Sequence, residues 1–246
     1  MHKFKIHWTF WLLMIFVFLS PKQQIIGKLM LCLFIHEIGH LLILYVKKIP
    51  IEKLELYACG FGMDLKQKPV SCSFDLVFYS AGIAFNLIAY GCFSDPQLKQ
   101  LSLLLALINL IPLEPLDGFH LAKALFERFF PVFHTRYISF FLSFISLAAI
   151  LWIYLFGDFG YLFLINLAYL VFVLIASWFK RRLVFQRFLL SRYLYPLCLK
   201  TRIIGVHRHL ERYLYRYRTL IVSVGEKKVT EKEILSIYFQ KNKGLR

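Results

Sequence analysis

Long apolar stretches, separated by short polar segments, set the pattern of this chain of 246 residues. A helix that crosses the hydrocarbon core of a membrane needs about 20 largely apolar residues. Six stretches approach or reach that length, and they lie at residues 7–20, 25–46, 73–93, 98–111, 138–156 and 160–179. The first resembles a signal peptide, but it lacks a small-x-small cleavage site and Pro21 follows it, so we expect it to be retained. The pattern predicts an all-α polytopic membrane protein with about six transmembrane helices.

The polar segments predict two smaller pieces of structure outside the membrane. In the segment 47–70, apolar residues lie among polar ones and glycines follow, which predicts a short hairpin or small sheet beside the membrane. The region 180–246 is predicted to be a helical neck and a reduced α+β module in the cytosol, after a membrane domain at 1–179. Its expected elements are extended chain at 202–206, a helix near 207–217, a strand at 220–224, a turn at 225–228 and a closing helix. Thr230 and Glu233 form a capping box for that last helix.

Composition and charge favour a membrane protein whose basic end lies in the cytosol. Apolar residues make up 59% of the chain and charged residues 18%, whereas a soluble domain has about 45–50% apolar residues. Of the net charge of +16, the region from Lys180 onward contributes 17 basic minus 4 acidic residues, or +13. Because basic residues favour the cytosolic side, both termini are expected there, together with the segments 47–70 and 117–137. Five cysteines, an odd number in a long apolar chain, exclude a secreted disulfide scaffold.

Three ionisable residues lie in the middle of the second apolar stretch, in the pattern His36-Glu37-Ile38-Gly39-His40. Residues four apart share one face of a helix, so both imidazoles can bind one metal ion. Glu37 lies beside them and is suited to act as a base on a zinc-bound water, whose pKa falls toward about 7. Polar packing inside a helix is the alternative, but each such residue costs about 2.5–3.5 kcal/mol at the bilayer centre. The pattern therefore predicts a zinc site of the metalloprotease type.

The fourth apolar stretch ends in a segment that offers a third ligand. Pro112 and Pro115 stop the helix and free backbone carbonyls, which a membrane protein tolerates only where they line protein or water. Asp117 follows this break, where its carboxylate can turn toward the two histidines, and Gly118 permits a tight exit. A helix-capping role for Asp117 stays open at this point, and Glu114 is a competing ligand.

These motifs together resemble those of the site-2 protease family of intramembrane zinc metalloproteases. The resemblance rests on the histidine motif, on Asn-Leu-Ile-Pro-x-x-Pro-Leu-Asp-Gly over residues 109–118, and on Ala-Gly-x-x-x-Asn over residues 81–86. Ile83 stands where the family usually has proline. The resemblance implies a three-helix zinc-protease core at about residues 25–125 and a small β element next to the membrane.

The family resemblance also implies a mechanism, the hydrolysis of a peptide bond at or within the membrane. It implies one catalytic zinc ion (Zn2+) held by His36, His40 and Asp117. Glu37 would take a proton from the attacking water and pass it to the leaving amine. Asn86 and Asn109 would assist the active site. Gly60 and Gly62 lie in a segment that we expect to pair with an extended substrate, because the peptide bonds of a helical substrate are shielded.

Within the family, the chain is most similar to the subgroup that removes the pro-sequence of the sporulation sigma factor sigma-K in endospore-forming bacteria. The similarity includes the longer proline motif, six spans without an inserted PDZ domain, and two tail motifs at 187–193 and 233–239. It implies a membrane-associated pro-sigma factor as substrate, a location in the bacterial cell or forespore membrane, and inhibitory membrane proteins as partners. Some members carry a nucleotide-sensing CBS domain, but the tail of 67 residues is too short for a full pair of repeats, so ATP sensing stays open.

Other interpretations of the same features stay open at the level of sequence. The basic tail either anchors the chain by attraction to anionic lipid or docks an acidic substrate. Nucleic-acid binding by the run 212–218 is not expected, because its aromatic residues have the spacing of a packed helix face. A general site-2 protease would act on anti-sigma factors or signal-peptide remnants. A metal-binding transporter or scaffold is the alternative from another class, although transporters usually have paired broken spans.

Overall fold

A computed structural model describes residues 3–19, 21, 23–57, 60–65, 71–156, 161–195, 199–205, 210–224 and 227–243 of the chain. Most of these residues are helical. The α-helices within them are α1 (Trp8–Leu19), α2 (Gln23–Val46), α3 (Cys72–Cys92), α4 (Pro96–Leu110), α5 (Asp117–Phe129), α6 (Val132–Phe156), α7 (Tyr161–Leu194) and α8 (Glu231–Lys243). The strands are β1 (Lys3–Ile6), β2 (Ile51–Tyr57), β3 (Gly60–Leu65), β4 (Thr201–Ile204), β5 (Thr219–Val224) and β6 (Lys227–Thr230).

The chain divides into two compact units. The first unit consists of Met1–Ile111 and Leu116–Leu121, and the second of Pro112–Pro115 and Ala122–Arg246. The first unit thus contains α1 to α4, the strands β1 to β3 and the beginning of α5. The separation of a membrane domain at 1–179 from a cytosolic region at 180–246 stays a prediction.

The helices of the first unit are built around α2, which packs against both α3 and α4. On α2 the usual distribution of side chains is inverted, because Phe34, Ile38 and Leu42 are exposed while His36 and His40 are buried. In water such a row of exposed apolar side chains would be unfavourable, whereas lipid is a suitable surrounding for it. The polar face of α2 is therefore directed toward its neighbouring helices.

The ends of α4 are defined by local chemistry. The carboxylate of Asp95 accepts hydrogen bonds from the backbone N–H groups of Gln97 (2.7 Å) and Leu98 (3.2 Å), and Pro96 occupies the first helical position. The ammonium of Lys28 also pairs with Asp95 and holds the pKa of that carboxyl below its usual value. At the other end, Ile111 is extended because it precedes Pro112, and α4 stops there.

The short hairpin predicted in the segment 47–70 is confirmed. Strands β2 and β3 are antiparallel, with Leu54 opposite Met63 and Glu55 opposite Gly62. A third strand, β1, pairs with β2 in parallel register and was not predicted. The strand order β1-β2-β3 leaves β3 at an edge of the described sheet.

Three helices in the described part of the chain are long and apolar enough to cross a membrane. They are Gln23–Val46, Cys72–Cys92 and Val132–Trp152. Helices α1 and α4 have 12 and 15 residues, fewer than the roughly 20 needed for a straight span. Helix α7 has 34 residues, but most side chains of its first two turns lie outside the described part. The chain is thus a membrane protein by the character of its helices, and the count of six spans stays a prediction.

The second unit has a compact core of its own around the end of α7. One face of the sheet β4-β5-β6 and helix α8 pack on α7, and the buried residues there are Phe185, Leu189, Leu214, Leu220, Val222, Ile234 and Leu235. Within this core, Arg192 donates two hydrogen bonds to the carboxylate of Glu231, at 2.6 and 2.8 Å. The same carboxylate accepts the backbone N–H of Leu220 at 3.0 Å, so that α7, α8 and β5 are tied together.

The predictions for the tail have mixed outcomes. The extended chain near 202–206, the strand near 220–224 and the closing helix are confirmed as β4, β5 and α8. The capping box is present in part, because the carboxylate of Glu233 accepts the backbone N–H of Thr230 at 2.7 Å. The predicted helix near 207–217 is wrong for the part that the structure describes, since within residues 210–217 only Leu210–Tyr213 forms a short 3-10 helix. The carbonyl of Leu214 instead accepts a hydrogen bond from the backbone N–H of Val132. Residues 207 and 209, two tail histidines, lie outside the described residues.

Candidate metal centre

Helix α2 brings the two histidines of the motif together. His36 and His40 are one turn apart and both are buried, with 4% and 5% of their surface exposed. Their Nε2 atoms are 3.2 Å apart, and the ring planes are inclined at 75°. Both imidazoles are therefore directed at the same point inside the first unit.

Asp117 meets the two histidines from a different segment. Its Oδ2 atom lies 3.0 Å from Nε2 of His36 and 3.1 Å from Nε2 of His40. Asp117 is the first residue of α5, two residues after Pro115 in the segment that follows α4. Gly118 makes this turn possible, because a Cβ atom there would collide with the backbone carbonyl of Leu110. The structure thus brings together the three predicted zinc ligands, in a group with the donor types of a metal site.

The three donor atoms have the spacing that a small metal ion requires. Zinc bonds of about 2.0–2.2 Å at tetrahedral angles separate neighbouring ligand atoms by about 3.3–3.6 Å. The observed separations are 3.0, 3.1 and 3.2 Å, so small outward movements of the side chains make room for the ion. Oδ2 of Asp117 is also buried without a hydrogen bond, although two ring nitrogens lie next to it. A buried carboxylate oxygen in that situation is suited to a cation.

The backbone of α3 fixes the orientation of His40. Nδ1 of His40 lies 2.8 Å from the carbonyl oxygen of Phe78. A carbonyl can only accept, so Nδ1 carries the proton, and in a neutral imidazole Nε2 then presents a lone pair toward Asp117. This is the arrangement in which zinc-binding histidines are usually held.

Asn86 occupies the corresponding place behind His36. Its side-chain amide lies 3.2 Å from Nδ1 of His36, with the NH2 group on the imidazole side, and its Oδ1 atom is fully buried without a partner. Turning the amide by half a rotation exchanges the two groups, which satisfies Oδ1 with the Nδ1–H of His36. His36 then has the same protonation as His40, with its Nε2 lone pair free for the metal.

This arrangement predicts that Asn86→Ala weakens zinc binding about 10–100-fold, the usual effect of removing a partner behind a metal ligand. The reason is that His36 loses the group that holds its ring and its proton. Asn109→Ala is the matched control for zinc affinity, because the amide of Asn109 donates to the carbonyl of Leu105 in its own helix at 3.0 Å. The expected role of Asn109 in assisting the active site stays a prediction. Zinc affinity is measured by competition with a chelating dye, and equal losses in both variants would contradict the assigned position of Asn86.

Two glycines allow α2 and α3 to approach closely at the site. A Cβ atom on Gly39 would lie 2.6 Å from the carbonyl oxygen of Ala81. A Cβ atom on Gly82 would lie 2.5 Å from Cε1 of His36 and 2.6 Å from Nε2 of both His36 and His40. The contact of Gly82 with the imidazoles was not predicted, although the small residues of the Ala-Gly pair are a known signal for close helix packing. The carbonyl of Phe78 was also missed, and a backbone carbonyl leaves no signal in sequence.

Glu37 follows His36 on α2 and is half-buried. One step along a helix is about 100° around its axis, so Glu37 lies beside the ligand group and is not part of it. That position is compatible with a base acting on a water near the three donors. Its role as the catalytic residue stays a prediction.

The ligand group does not include the glycines predicted to bind substrate, nor three further residues with possible donor atoms, Cys32, Glu114 and His120. Gly60 and Gly62 lie in β3, opposite Tyr57 and Glu55, and their role in binding substrate stays a prediction. Cys32 is buried against Ser102, with 3.2 Å between Sγ and Oγ. The ring of His120 stacks on Tyr79, at 4.5 Å between centroids. Neither these nor Glu114 belongs to the described group of possible metal ligands, which is limited to three residues.

Comparison with known proteins shows a similarity in structure. A scan against protein-family models and a search of curated proteins both find no match. Among solved structures, the chain is similar to the site-2 protease from Methanocaldococcus jannaschii, with 23% identity and a TM-score of 0.46. The similarity covers 74% of this chain and 89% of that chain. The chemistry of the site is accordingly inferred from its own geometry.

Proposed function

We propose that the chain is an intramembrane zinc metalloprotease of the site-2 protease type, which hydrolyses a peptide bond of a membrane-associated protein. The observation that carries the proposal is the convergence of two Nε2 atoms and one carboxylate oxygen within 3.2 Å, with both histidines on a helix that is long and apolar enough to cross a membrane. Each of these polar groups is costly in lipid surroundings unless a cation or water compensates it. Two histidines and one carboxylate leave a fourth position of zinc for water, as in catalytic sites.

The residues around the site have distinct roles in the proposed reaction. Zinc bound by the three donors supplies a Lewis acid and lowers the pKa of water. The Glu37 carboxylate takes a proton from the attacking water and passes it to the nitrogen of the leaving amine. The Phe78 carbonyl and Asn86 hold the protons of the two imidazoles on Nδ1, so that both rings keep their orientation during the reaction.

We propose that this site lies in a multi-pass membrane protein with six spans and both termini in the cytosol. The excess of +13 in the region from Lys180 onward supports this orientation, since basic segments stay on the cytosolic side. Attraction of the same region to anionic lipid would hold it against the membrane. The membrane in question would be the cell or forespore membrane of a bacterium.

We further propose a pro-sigma factor, namely pro-sigma-K, as the substrate, as for stage IV sporulation protein FB. The two tail motifs support this choice, and they lie in α7 and α8 around the core of the second unit. Inhibitory membrane proteins are the proposed regulatory partners. The alternative within the same chemistry is a general protease for anti-sigma factors or signal-peptide remnants, and the alternative outside it is a metal-binding transporter or scaffold.

The test combines metal analysis with cleavage by the full chain. We expect the protein purified in detergent to contain one zinc per chain and to cleave co-expressed pro-sigma-K, and a chelator should abolish cleavage until zinc is returned. Asp117→Ala should lower zinc affinity by more than about 100-fold, because it removes a direct ligand rather than a supporting one. Asp95→Ala is the matched control, since Asp95 caps α4 and pairs with Lys28.

The outcomes separate the alternatives. Zinc-dependent cleavage of an anti-sigma factor without cleavage of pro-sigma-K would support the general protease. Bound zinc without cleavage of either substrate would contradict the protease and favour the transporter or scaffold. Absence of stoichiometric metal in the purified chain would refute the proposed site itself.

A further inference from the structure

A second cluster of charge lies in the second unit and has no part in the zinc site. Arg136 is on the first turns of α6, Arg181 is on α7, and Arg212 is in the short 3-10 helix Leu210–Tyr213. These three residues are called the arginine cluster below. Arg136 contacts one aromatic ring together with Arg212 and another together with Arg181, so the three charges are close together.

The guanidinium groups of the arginine cluster lie over the faces of aromatic rings. The ring of Phe133 is shared by Arg136 and Arg212, whose Cζ atoms lie 4.2 and 4.9 Å from its centroid. The ring of Tyr137 is shared by Arg136 and Arg181, each with Cζ at 4.9 Å. Such contacts stabilise the flat faces of a guanidinium but leave the N–H groups at its edges unused.

The edges of the guanidinium groups have few partners. Nε of Arg136 and Nη1 of Arg181 are buried without a hydrogen bond. Nη2 of Arg136 donates only a long bond of 3.3 Å to the hydroxyl of Tyr137. A buried N–H without an acceptor costs about 1–3 kcal/mol, and more when it is charged. The cluster therefore presents donors that require an acceptor.

The two buried acidic residues described in this unit are paired with other arginines. Glu127 pairs with Arg216 at 3.0 Å, and Glu231 pairs with Arg192. Three neighbouring positive charges, two of which have buried N–H groups without a hydrogen bond, are characteristic of a site for an external anion.

We propose that the arginine cluster binds a phosphate group. Guanidinium edges match the oxygens of a phosphate in geometry, and the stacked rings hold those edges in fixed directions. Arg212 is exposed and would form the open side of the site, while Arg136 and Arg181 form its base. This site is independent of the zinc centre and of the proposed protease function.

Two sources of phosphate have the same chemistry, the headgroup of an anionic lipid and a free phosphate in the cytosol. The position of the cluster suits a headgroup, because Arg136 lies at the start of the membrane-length segment Val132–Trp152. Arg181 follows the apolar stretch 160–179 of α7, and α6 and α7 pack against each other. Both arginines are thus at the polar end of an apolar helix, where lipid phosphates lie.

The experiment uses the full chain purified in a neutral detergent. In the first arm, inorganic phosphate is titrated at constant ionic strength against chloride, and binding is followed by the rise in Tm. In the second arm, the chain is placed in nanodiscs of phosphatidylcholine with or without phosphatidylglycerol, and the lipid retained after extraction is measured by native mass spectrometry. Arg181→Gln and Arg212→Gln are compared with Arg182→Gln, which makes the same charge change at an exposed position of the same helix.

We expect each of Arg181→Gln and Arg212→Gln to weaken binding by about 10-fold or more, and Arg182→Gln by less than about 2-fold, because only the first two remove charge-assisted hydrogen bonds. Selective retention of phosphatidylglycerol without a response to inorganic phosphate identifies the lipid headgroup as the source, and a response to inorganic phosphate identifies the phosphate group itself. If Arg181→Gln fails to fold, the exposed Arg212→Gln decides. Binding in neither arm, or equal losses in Arg182→Gln and the cluster variants, would overturn the proposal.

Discussion

Glu37→Gln is expected to lower the cleavage rate about 1,000-fold while zinc stays bound, since positioned acid–base groups contribute about 100- to 10,000-fold to a rate. Glutamine keeps the size of the side chain but cannot take a proton from water. Zinc content should not change, because Glu37 lies outside the group formed by His36, His40 and Asp117. The measurement pairs the cleavage rate of a co-expressed substrate with zinc per chain in the same preparation.

Glu114→Gln is the control for this substitution. Glu114 lies three residues before Asp117 and was the competing ligand in the sequence, and its backbone N–H contacts the hydroxyl of Ser143 at 3.4 Å. We expect unchanged zinc content and unchanged cleavage. Loss of zinc in Glu114→Gln would contradict the ligand group, and loss of zinc in Glu37→Gln would make Glu37 a ligand. Cleavage at the original rate by Glu37→Gln would rule it out as the base.

The position of the site could be predicted because lipid makes polar residues conspicuous. In a soluble helix, the pair His36 and His40 would be unremarkable, but within an apolar stretch each charged or polar group has to be compensated. The break at Pro112 and Pro115 then indicated where a third donor was available, and the family resemblance selected Asp117 over Glu114. The structure brings that donor within 3.1 Å of both rings.

The supporting contacts could not be predicted, because they depend on which faces of α2 and α3 meet. The bond of His40 to the Phe78 carbonyl uses a backbone group that every residue has. The contact of Asn86 with His36 depends on how α3 is rotated about its own axis. A membrane helix that is apolar on all sides has no sequence pattern that defines this rotation. The parallel pairing of β1 with β2 joins segments about fifty residues apart and has no local periodicity.

The incorrect prediction of a helix near residues 207–217 in the tail has a related cause. The predicted helix rests on the spacing of the aromatic residues in 212–218, but only Tyr213 and Tyr217 are four apart, and Tyr213, Tyr215 and Tyr217 alternate as in extended chain. In the structure Leu214 and Tyr215 are adjacent in sequence and both buried. Both follow the 3-10 helix Leu210–Tyr213, and the carbonyl of Leu214 accepts a hydrogen bond from the backbone N–H of Val132. Tertiary contacts thus override the local pattern there.

Gly82→Ala is expected to lower zinc affinity by more than about 100-fold, beyond the usual effect of a change behind the ligands. A Cβ atom at this position would lie 2.5 Å from His36 and 2.6 Å from His40, so both imidazoles have to move at once and their Nε2 atoms leave their present positions beside Asp117. Cleavage should be lost together with the metal. Zinc affinity is again measured by competition with a chelating dye, and cleavage with the co-expressed substrate.

Gly91→Ala is the matched control, because Gly91 is on the same helix α3 and a Cβ atom there meets no atom within 4 Å. Alanine is also the better helix former, so this variant should be at least as stable as the original chain. Measuring Tm after removal of metal separates a local effect from a general one. If Gly82→Ala unfolds while the metal-free original chain does not, the contact holds the helices together rather than the ligands. If Gly82→Ala binds zinc as tightly as Gly91→Ala, the two imidazoles can move away from the added Cβ atom without losing the metal. The short distances between the three donor atoms then do not define the metal site.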